Sequence, residues 1–460
     1  MGDAIQPPDN AVLAVVLVDQ VDAPFLPDLV SDPEDVVDDV VIGAVSPRPF
    51  RCHEPCSTDP PRATSGDCTA NADQVLQRLL AYPTRGQQVL PCLVDLELHS
   101  KYIGYSFVGA SAPFGDPYMA QAAATAQRHA SLLAKRLVRY ADLRPCTTAF
   151  IDTRTPGSAE KENFTIIGPG VSESPDQHVH VRLPHGFNIG GARQPPGCVN
   201  SQHSHETAEV FIVHSGTWAF KMGPNLEDGE VVLHPGDTIS IPVHVFRGFE
   251  NVGDSTGYLF AVLGGNDPGR VTWAPYVFDN AEKYGLVLLE DGSLVDTTRG
   301  ETVPDDKTVM PPTTKADVAA LDRLKADDMG GCVLRHDSLD ALTCSTLQGI
   351  EERPVIGSAS DAEGLAAGHM NWLHGFQVRH VQIQPGAGSP LHTRHEEEVI
   401  MMHAGQLTVG LPDGDVEMVP GDVLTVPIGM ARSFSNSTHE RVEAWVVRGG
   451  DLPQAPSYPS

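Results

Sequence analysis

Short apolar runs separated by turn-forming residues dominate the chain from residue 163 onward. The runs HVHVRL (178–183), AEVFIV (208–213) and YLFAVL (258–263) have strand length and lie between Gly, Pro and Asp residues. A polar, Pro- and Asp-rich stretch at 286–330 predicts a linker with one helix near Lys315–Lys325, after which the strand pattern resumes. Short strands at regular intervals predict antiparallel barrels or sandwiches. We therefore expect a mostly β protein.

Residues 1–150 show a different pattern. Ala11–Asp19 is a continuous, valine-rich run that predicts a buried strand, and Gln88–Leu96 predicts another. Pro117–Tyr140 is rich in alanine, has leucines at helical spacing and carries its basic residues towards its C-terminal half, where the helix dipole favours them. We expect a separate α+β region over residues 1–150, of a fold that the pattern does not assign.

The β-rich part contains an internal repeat. With an offset of 189 residues (374 − 185), His185-Gly186-Phe187 falls on His374-Gly375-Phe376. After a four-residue deletion, Pro235-Gly236-Asp237 falls on Pro420-Gly421-Asp422. Further pairs in the same two registers are Gly197/Gly386, His203/His392, Glu209/Glu398, Gly216/Gly405, Pro242/Pro427, Arg247/Arg432, Phe249/Phe434 and Asn251/Asn436. Agreement at so many positions indicates that the two halves share one fold by duplication.

The first repeat resembles the cupin superfamily. Between Gly197 and Gly216 the pattern G-x5-H-x-H-x3-E-x6-G matches the first cupin motif, and Gly236 to Asn251 matches most of the second. The chain is therefore similar to a bicupin, a protein with two cupin barrels. The resemblance implies tandem double-stranded β-helix (jelly-roll) barrels, each of which can hold a metal ion in its mouth. The implied domains are 160–285 for the first barrel and 331–452 for the second.

His203, His205 and Glu209 form a candidate metal site by their chemistry alone. Side chains two apart on a strand point to the same face, so the two imidazoles lie together and Glu209 can complete a face of three ligands. Two imidazoles and one carboxylate leave positions open on an octahedral ion, as in non-haem Fe(II) sites that bind substrate and O₂. We expect one divalent ion per chain, first of all Fe(II), although Mn, Ni, Co and Zn fit the same ligands.

Arg247 departs from the cupin pattern, in which a histidine usually stands at this place as a fourth ligand. A guanidinium stays protonated and does not ligate a cation. We expect Arg247 beside the open positions of the metal, where it could pair with a carboxylate or phosphate of the substrate. A structural salt bridge to Glu209 or Glu250 is the alternative. His244, three residues earlier, is a further candidate, as an unorthodox ligand or an acid/base.

The second repeat departs further from the pattern. His392 and Glu398 remain, but Arg394 takes the place of the second ligand histidine, and Arg432 stands where the usual fourth ligand would be. His395 would point to the opposite face of the strand unless a bulge turned it. Two arginines directed at one site predict a metal-free barrel that serves structure, dimerisation or anion binding.

Three functions are compatible with these residues. The first is a mononuclear non-haem iron dioxygenase, with the substrate at the open face of the triad and its acid group on Arg247. Ring-cleaving bicupins act on hydroxylated aromatic acids, so the resemblance makes such substrates reasonable. The second is an isomerase, decarboxylase or lyase that uses a non-redox metal as a Lewis acid. The third is a binding or storage bicupin without turnover. We expect an enzyme of the first kind.

Composition and net charge limit the kinds of partner that we expect this protein to bind. Lys plus Arg number 31 and Asp plus Glu 60, a formal net charge of −29 at pH 7, which disfavours binding of nucleic acid or an anionic membrane. No apolar run approaches the roughly 20 residues of a membrane span, and the first residues lack a basic leader region. Eight cysteines in 460 residues are too few for a disulfide scaffold. We expect a cytoplasmic protein whose partners are a small acidic substrate and O₂, and the resemblance adds a homodimer.

Overall fold

Helix α1 (Pro117–Arg136) confirms the helix that the alanine-rich pattern predicts. The computed structural model describes residues 117–452 and 454–459. The predicted strands Ala11–Asp19 and Gln88–Leu96 lie outside these residues. From Tyr118 onward the chain forms one compact unit, which therefore includes the last part of the region predicted at 1–150. None of the helices described between residues 117 and 460 has the length and apolarity of a membrane span.

The first half of this unit consists of two mostly antiparallel sheets. A short strand, β1 (Leu137–Val138), precedes it. Its own strands are β2 (Glu162–Ile167), β3 (Val179–Val181), β4 (Phe187–Gln194), β5 (Val199–His205), β6 (Glu209–Ser215), β7 (Trp218–Met222), β8 (Gly229–Leu233), β9 (Thr238–Ile241), β10 (Arg247–Asn251), β11 (Gly257–Gly264) and β12 (Val271–Trp273). One sheet runs β9-β6-β11-β4-β2-β3 and the other β12-β5-β10-β7-β8.

The predicted linker contains regular structure and packs on the first half. The elements within its predicted range are the hairpin of β13 (Leu286–Leu288) and β14 (Leu294–Asp296), and α3 (Lys315–Ala320); α2 (Pro275–Lys283) precedes that range and β15 (Val333–Leu334) follows it. Helix α3 lies within the predicted range and begins with a capping box, because Thr314 and Asp317 bind each other's backbone N–H groups. Leu286 and Leu288 join an apolar cluster around Trp273, so the hairpin lies against the first half.

The second half repeats the architecture with fewer strands. They are β16 (Ser345–Leu347), β17 (Ile350–Ile356), β18 (Phe376–Ile383), β19 (Glu398–Ala404), β20 (Leu407–Leu411), β21 (Gly414–Met418), β22 (Val423–Val426), β23 (Ser433–Ser435) and β24 (Val442–Gly449). One sheet runs β22-β19-β24-β18-β17-β16 and the other β21-β20-β23. The mostly β class predicted from the sequence is confirmed. In each half the two sheets form a jelly roll without closing into one continuous barrel.

Strand β11 shows why the central strands are continuously apolar. All eight of its residues are buried. Leu259, Ala261 and Leu263 belong to the core between the two sheets of the first half. Tyr258, Phe260 and Val262 point the other way, into a core that contains side chains of both halves. Because both faces of the strand are covered, its sequence shows no alternation of apolar and polar residues.

The two halves exchange short strands. β1, which precedes the first half, pairs with β22 of the second half, and β15, which precedes the second half, pairs with β9 of the first. Matched hydrogen bonds follow each short strand: the Tyr140 N–H donates to Asp422 at 3.0 Å, and the His336 N–H donates to Asp237 at 2.8 Å. The repeat seen in the sequence is therefore a pseudo-twofold arrangement in three dimensions, with the shared apolar core between the halves.

Candidate metal centre

Three metal-ligand side chains converge in the first half. His203 and His205 lie on β5, and Glu209 begins β6 after a short turn. Their donor atoms all lie within 4.8 Å of one another. His205 Nε2 is 3.6 Å from Glu209 Oε1, and all three side chains are buried. The spacing of two along one strand thus places both imidazoles beside the carboxylate, as expected from the sequence.

The hydrogen bonds of the two histidines leave ring nitrogens for a cation. His203 Nδ1 lies 2.7 Å from the carbonyl oxygen of Ser201, which can only accept, so Nδ1 carries the proton and Nε2 keeps its lone pair. His205 Nδ1 has no hydrogen-bond partner. Burial, and then the charge of Arg247, lowers the pKa of both histidines well below the usual value. Both rings are therefore neutral at pH 7, the form that ligates metals, and this donor set fits a divalent ion.

Arg247 is paired with the carboxylate of this triad. It begins β10 opposite His203 on β5. Its Nε donates to Glu209 Oε2 at 3.0 Å, and its Nη2 donates to the same oxygen. Its Nη1 donates to the backbone oxygens of His203 at 3.4 Å and Val245 at 3.3 Å. From the sequence, a substrate acid group and a protein carboxylate are both possible partners of Arg247, and the structure contains the pair with the protein carboxylate Glu209. The other oxygen of this carboxylate, Oε1, faces His205.

The electrostatics of Glu209 depend on this pair. Burial raises the pKa of Glu209, because a carboxylate loses its hydration, while the Arg247 guanidinium opposes that shift. Since Arg247 is 1% exposed, neither charge is compensated by solvent. The pair therefore leaves one oxygen of the buried carboxylate engaged by Arg247 and the other facing His205, available to a cation.

A cavity of about 70 Å³ adjoins the triad. Much of its wall is aromatic or aliphatic, and it also contains neutral polar side chains. The apolar members include Phe150, Phe164, Phe211, Phe249, Leu263 and Trp273, and the polar ones Asn163, Thr165, Ser172, Gln177, Asn188 and Asn200. Among the described residues, the wall includes no Lys or Arg. The wall therefore combines a largely apolar surface with a few neutral hydrogen-bonding groups beside the triad.

His244 lies away from this cavity. It stands in the turn before β10 with a positive φ of 62° and an exposed side chain. Its backbone N–H donates to the carbonyl oxygen of His205 at 2.9 Å, so the turn supports β5 through the main chain. The structure does not bring the His244 imidazole together with the triad, and the cavity wall does not include it.

In the second half, arginines surround the equivalent carboxylate. Glu398 is fully buried, and Arg448 Nε donates to its Oε2 at 2.8 Å while Arg432 Nε lies 3.2 Å from its Oε1. Arg394 Nη1 donates to Glu363 at 2.7 Å. Among the described residues, no group of three metal donors includes Glu398. His395 is exposed and lies in a bend before β19.

Several charged residues of this arginine network were missed in the sequence. Arg379 on β18, Arg448 on β24 and Glu352 on β17 are buried or nearly so, although they lie outside the aligned motif positions. They lie on strands whose sequences mix apolar and charged or polar residues, IEERPVI, FQVRHVQI and VEAWVVRG. Charged residues inside buried strands indicate buried ion pairs, because an unpaired buried charge is too costly.

A second group of donors lies between the two halves and was also missed. His336, His403 and Glu443 have donor atoms within 4.8 Å of one another, and we call them the interface cluster. They come from the segment after β15 and from strands β19 and β24. No motif spacing connects them, so the sequence contains no local signal for this group.

Comparison with known proteins identifies the family. The family model described as Cupin domain matches residues 192–263 and 379–448, once in each half. The chain therefore contains two cupin domains, one in each half. The match confirms the two predicted tandem cupin jelly rolls and covers the residues of the triad in the first cupin domain, while the α+β region at 1–150 stays a prediction.

The individual proteins that this chain resembles match it either over a short segment or at low sequence identity. The bicupin is 34% identical over 88 residues to Germin-like protein subfamily 1 member 7 of Arabidopsis thaliana, a match that covers 18% of this chain and 38% of that protein. It is similar to the oxalate decarboxylase of Lactobacillus farciminis in complex with formate, with 12% identity, a TM-score of 0.43 and coverage of 69% of this chain and 87% of that one. A deletion mutant of the Bacillus subtilis oxalate decarboxylase has 12% identity, a TM-score of 0.43 and coverage of 78% and 88%.

Proposed function

We propose that the first cupin domain is the active centre of a mononuclear non-haem Fe(II) dioxygenase that cleaves a small acidic substrate. The observation that supports this proposal is the buried set of two neutral imidazoles and one carboxylate beside a small, largely apolar cavity. Three ligands on one face are the arrangement of non-haem Fe(II) oxygenases, in which substrate and O₂ take the remaining positions. A bound Fe(II) would supply those open positions and the electrons for O₂ activation.

His203 and Glu209 orient the site before any ligand binds. The hydrogen bond from His203 Nδ1 to Ser201 holds the ring so that Nε2 faces Glu209 and His205. Arg247 holds Glu209 through Oε2, which leaves Oε1 on the side of His205. Such outer partners fix ligand geometry in metal sites and are worth about 10–100-fold in metal affinity or activity. We therefore assign Arg247 the role of a positioning residue.

The charge balance supports an acidic substrate. Arg247 and Glu209 neutralise each other and the two imidazoles are neutral, so a divalent ion would retain its full charge in a buried site. An anionic substrate group bound at the ion compensates that charge. We therefore place the acid group of the substrate at the metal ion. Arg247 is not its partner, because the guanidinium nitrogens already bind protein atoms. The apolar walls, with Phe211 and Trp273, favour a small planar or aromatic body.

The experiment uses metal loading and oxygen consumption. The protein carries His403→Ala, which removes the interface cluster. Its apo form is loaded under argon with Fe(II), Mn(II) or Zn(II). The loaded protein is then mixed with oxalate or with small hydroxylated aromatic acids. We expect O₂ uptake with Fe(II) only, and nitric oxide, a probe for an open O₂ position, to give an Fe(II) adduct that His203→Ala lacks. Turnover under argon with Mn(II) or Zn(II) would instead assign the non-redox lyase, and absence of a nitric oxide adduct would overturn the dioxygenase.

Substitution of Arg247 tests its positioning role. Arg247→Leu leaves Glu209 unheld, so we expect kcat/KM, or the affinity for Co²⁺ measured against a chromophoric chelator, to fall by about 10–100-fold. Arg247→Lys should recover only part, because an ammonium cannot reproduce the two-nitrogen contact. Arg323→Leu, which removes the ion pairs that a partly exposed arginine makes with Asp228 and Glu227 of the first domain, is the matched control and should change neither quantity. A lower melting temperature with unchanged Co²⁺ affinity would make Arg247 a structural salt bridge only.

A further inference from the structure

The interface cluster has the geometry of a cation site that no cupin motif includes. His336 Nε2 donates a hydrogen bond to Glu443 Oε2 at 3.0 Å, through a proton that a bound cation would displace, and the donor atom of His403 lies within 4.8 Å of both residues' donor atoms. Glu443 Oε1 is engaged by Arg441 Nη2 at 2.6 Å, so Oε2 is the oxygen that faces the imidazoles. Burial lowers the pKa of His403 to about 4, and its ring is therefore neutral at pH 7. Its Nδ1 has no hydrogen-bond partner.

A third imidazole, that of His380, provides an independent indication of a missing ligand. His380 on β18 is fully buried, and neither of its ring nitrogens has a hydrogen-bond partner. Its Nε2 lies 3.6 Å from Glu443 Oε2, the same oxygen that faces His336. Leaving a buried polar group unsatisfied costs about 1–3 kcal/mol. A buried, unpartnered imidazole directed at a carboxylate is satisfied when a cation binds between them.

The duplication shows that the fold itself does not require these donors. The strand registers that relate the two halves assign each member of the group a counterpart on the other side of the interface. These pairs are His336/Tyr140, His403/His214, Glu443/Tyr258 and His380/Gly191. On that side Tyr258 packs edge-on against Tyr140, and a Cβ at Gly191 would lie 2.9 Å from Tyr258 Cζ. Aromatic packing therefore fills one side of the interface, whereas the other side collects three imidazoles and a carboxylate.

We propose that His336, His403 and Glu443 bind a second divalent ion at the interface between the two cupin domains, with His380 as the candidate fourth donor. Three imidazoles and one carboxylate suit a tetrahedral borderline ion, of which Zn²⁺ is the representative. The ion would connect the segment after β15, which is paired with the first domain, to strands β19 and β24 of the second. It would thus fasten the two domains together. The expectation of one ion per chain, made from the sequence, then applies only to the cavities inside the two cupin domains, and the interface ion is counted in addition.

The test uses the full chain with His203→Ala, so that the cavity site of the first domain does not contribute. Tag-free protein is titrated with Zn²⁺ in a calorimeter, and Co²⁺ is used to read coordination from its visible spectrum. We expect one equivalent of Zn²⁺, a tetrahedral Co²⁺ spectrum and a rise in melting temperature on metal addition. Adding His403→Ala should weaken binding at least tenfold and remove the thermal effect, and Glu443→Gln should do the same.

The matched control is His439→Ala, which removes an exposed histidine of the same domain. It should leave Zn²⁺ affinity and the Co²⁺ spectrum unchanged. Unaltered Zn²⁺ binding in the His403→Ala protein would overturn the proposal, as would the absence of any Zn²⁺ binding in the His203→Ala protein. Because His403→Ala changes a half-buried side chain, its fold is checked by circular dichroism, and the smaller change His403→Gln serves if alanine unfolds the chain. Neither outcome depends on the reaction proposed for the first domain.

Discussion

Replacing His203 with alanine is expected to abolish metal loading of the first cupin domain. The substitution removes one of three donors that lie within 4.8 Å of one another, and the remaining His205 and Glu209 cannot hold an ion on three sides. The loss should exceed the roughly 10–100-fold typical of outer-shell changes. The measurement is metal content and O₂ uptake after dialysis, in protein whose interface cluster is disabled by His403→Ala.

The matched control for this change is His392→Ala in the second domain. His392 occupies the equivalent position by the repeat, and its Nδ1 lies 3.0 Å from the carbonyl oxygen of Pro390, as His203 lies beside Ser201. Its charged neighbours are Glu398, Arg394 and Arg432, and no group of three metal donors among the described residues includes it, so its removal should leave metal content unchanged. Equal loss of metal in both variants would contradict the assignment of the ion to the first cavity.

Neutralising Glu398 should produce the largest loss of stability. This carboxylate is fully buried and lies within 3.2 Å of Arg432 Nε and Arg448 Nε. Burial alone would raise its pKa, but Arg448, Arg432 and Arg394 together lower the pKa of Glu398 to about 2. In Glu398→Gln these arginines lose their shared anion, and removal of one partner from a buried pair costs roughly 3–5 kcal/mol. We expect a fall in melting temperature of roughly 5–15 °C with unchanged metal content.

Asp413→Asn provides the comparison for the Glu398 variant. Asp413 also pairs with an arginine in the second domain, but Arg128 is 59% exposed, so the pair is hydrated. Surface pairs contribute about 1 kcal/mol or less, and this variant should melt close to the parent protein. If Glu398→Gln also melted within one or two degrees of the parent, the arginine network would not hold the second domain together.

The local part of the candidate site could be predicted from the sequence. His203 and His205 face one way because side chains two apart on a strand share a face, and Glu209 follows after one turn. The repeat between His185 and His374 likewise predicted the duplication, because turn residues such as Gly236 and Gly421 recur where the chain needs them. Both Gly residues have a positive φ in the structure, 85° and 88°. These features arise from residues that are close together in the sequence, so the spacing of the motif residues is enough to predict them.

Contacts between distant residues were decided by the tertiary structure. The pairing of Arg247 with Glu209 was one of several partners open to a buried guanidinium, and only the approach of β10 to β5 selects it. The interface cluster joins residues 336, 403 and 443, which no motif relates. A buried charged side chain needs a partner, but this requirement does not specify which residue the partner is. Long-range packing decides which side chains meet. The sequence by itself therefore determined the cupin fold, the duplication and the triad, whereas the folded chain decided which charges meet and where a second ion would bind.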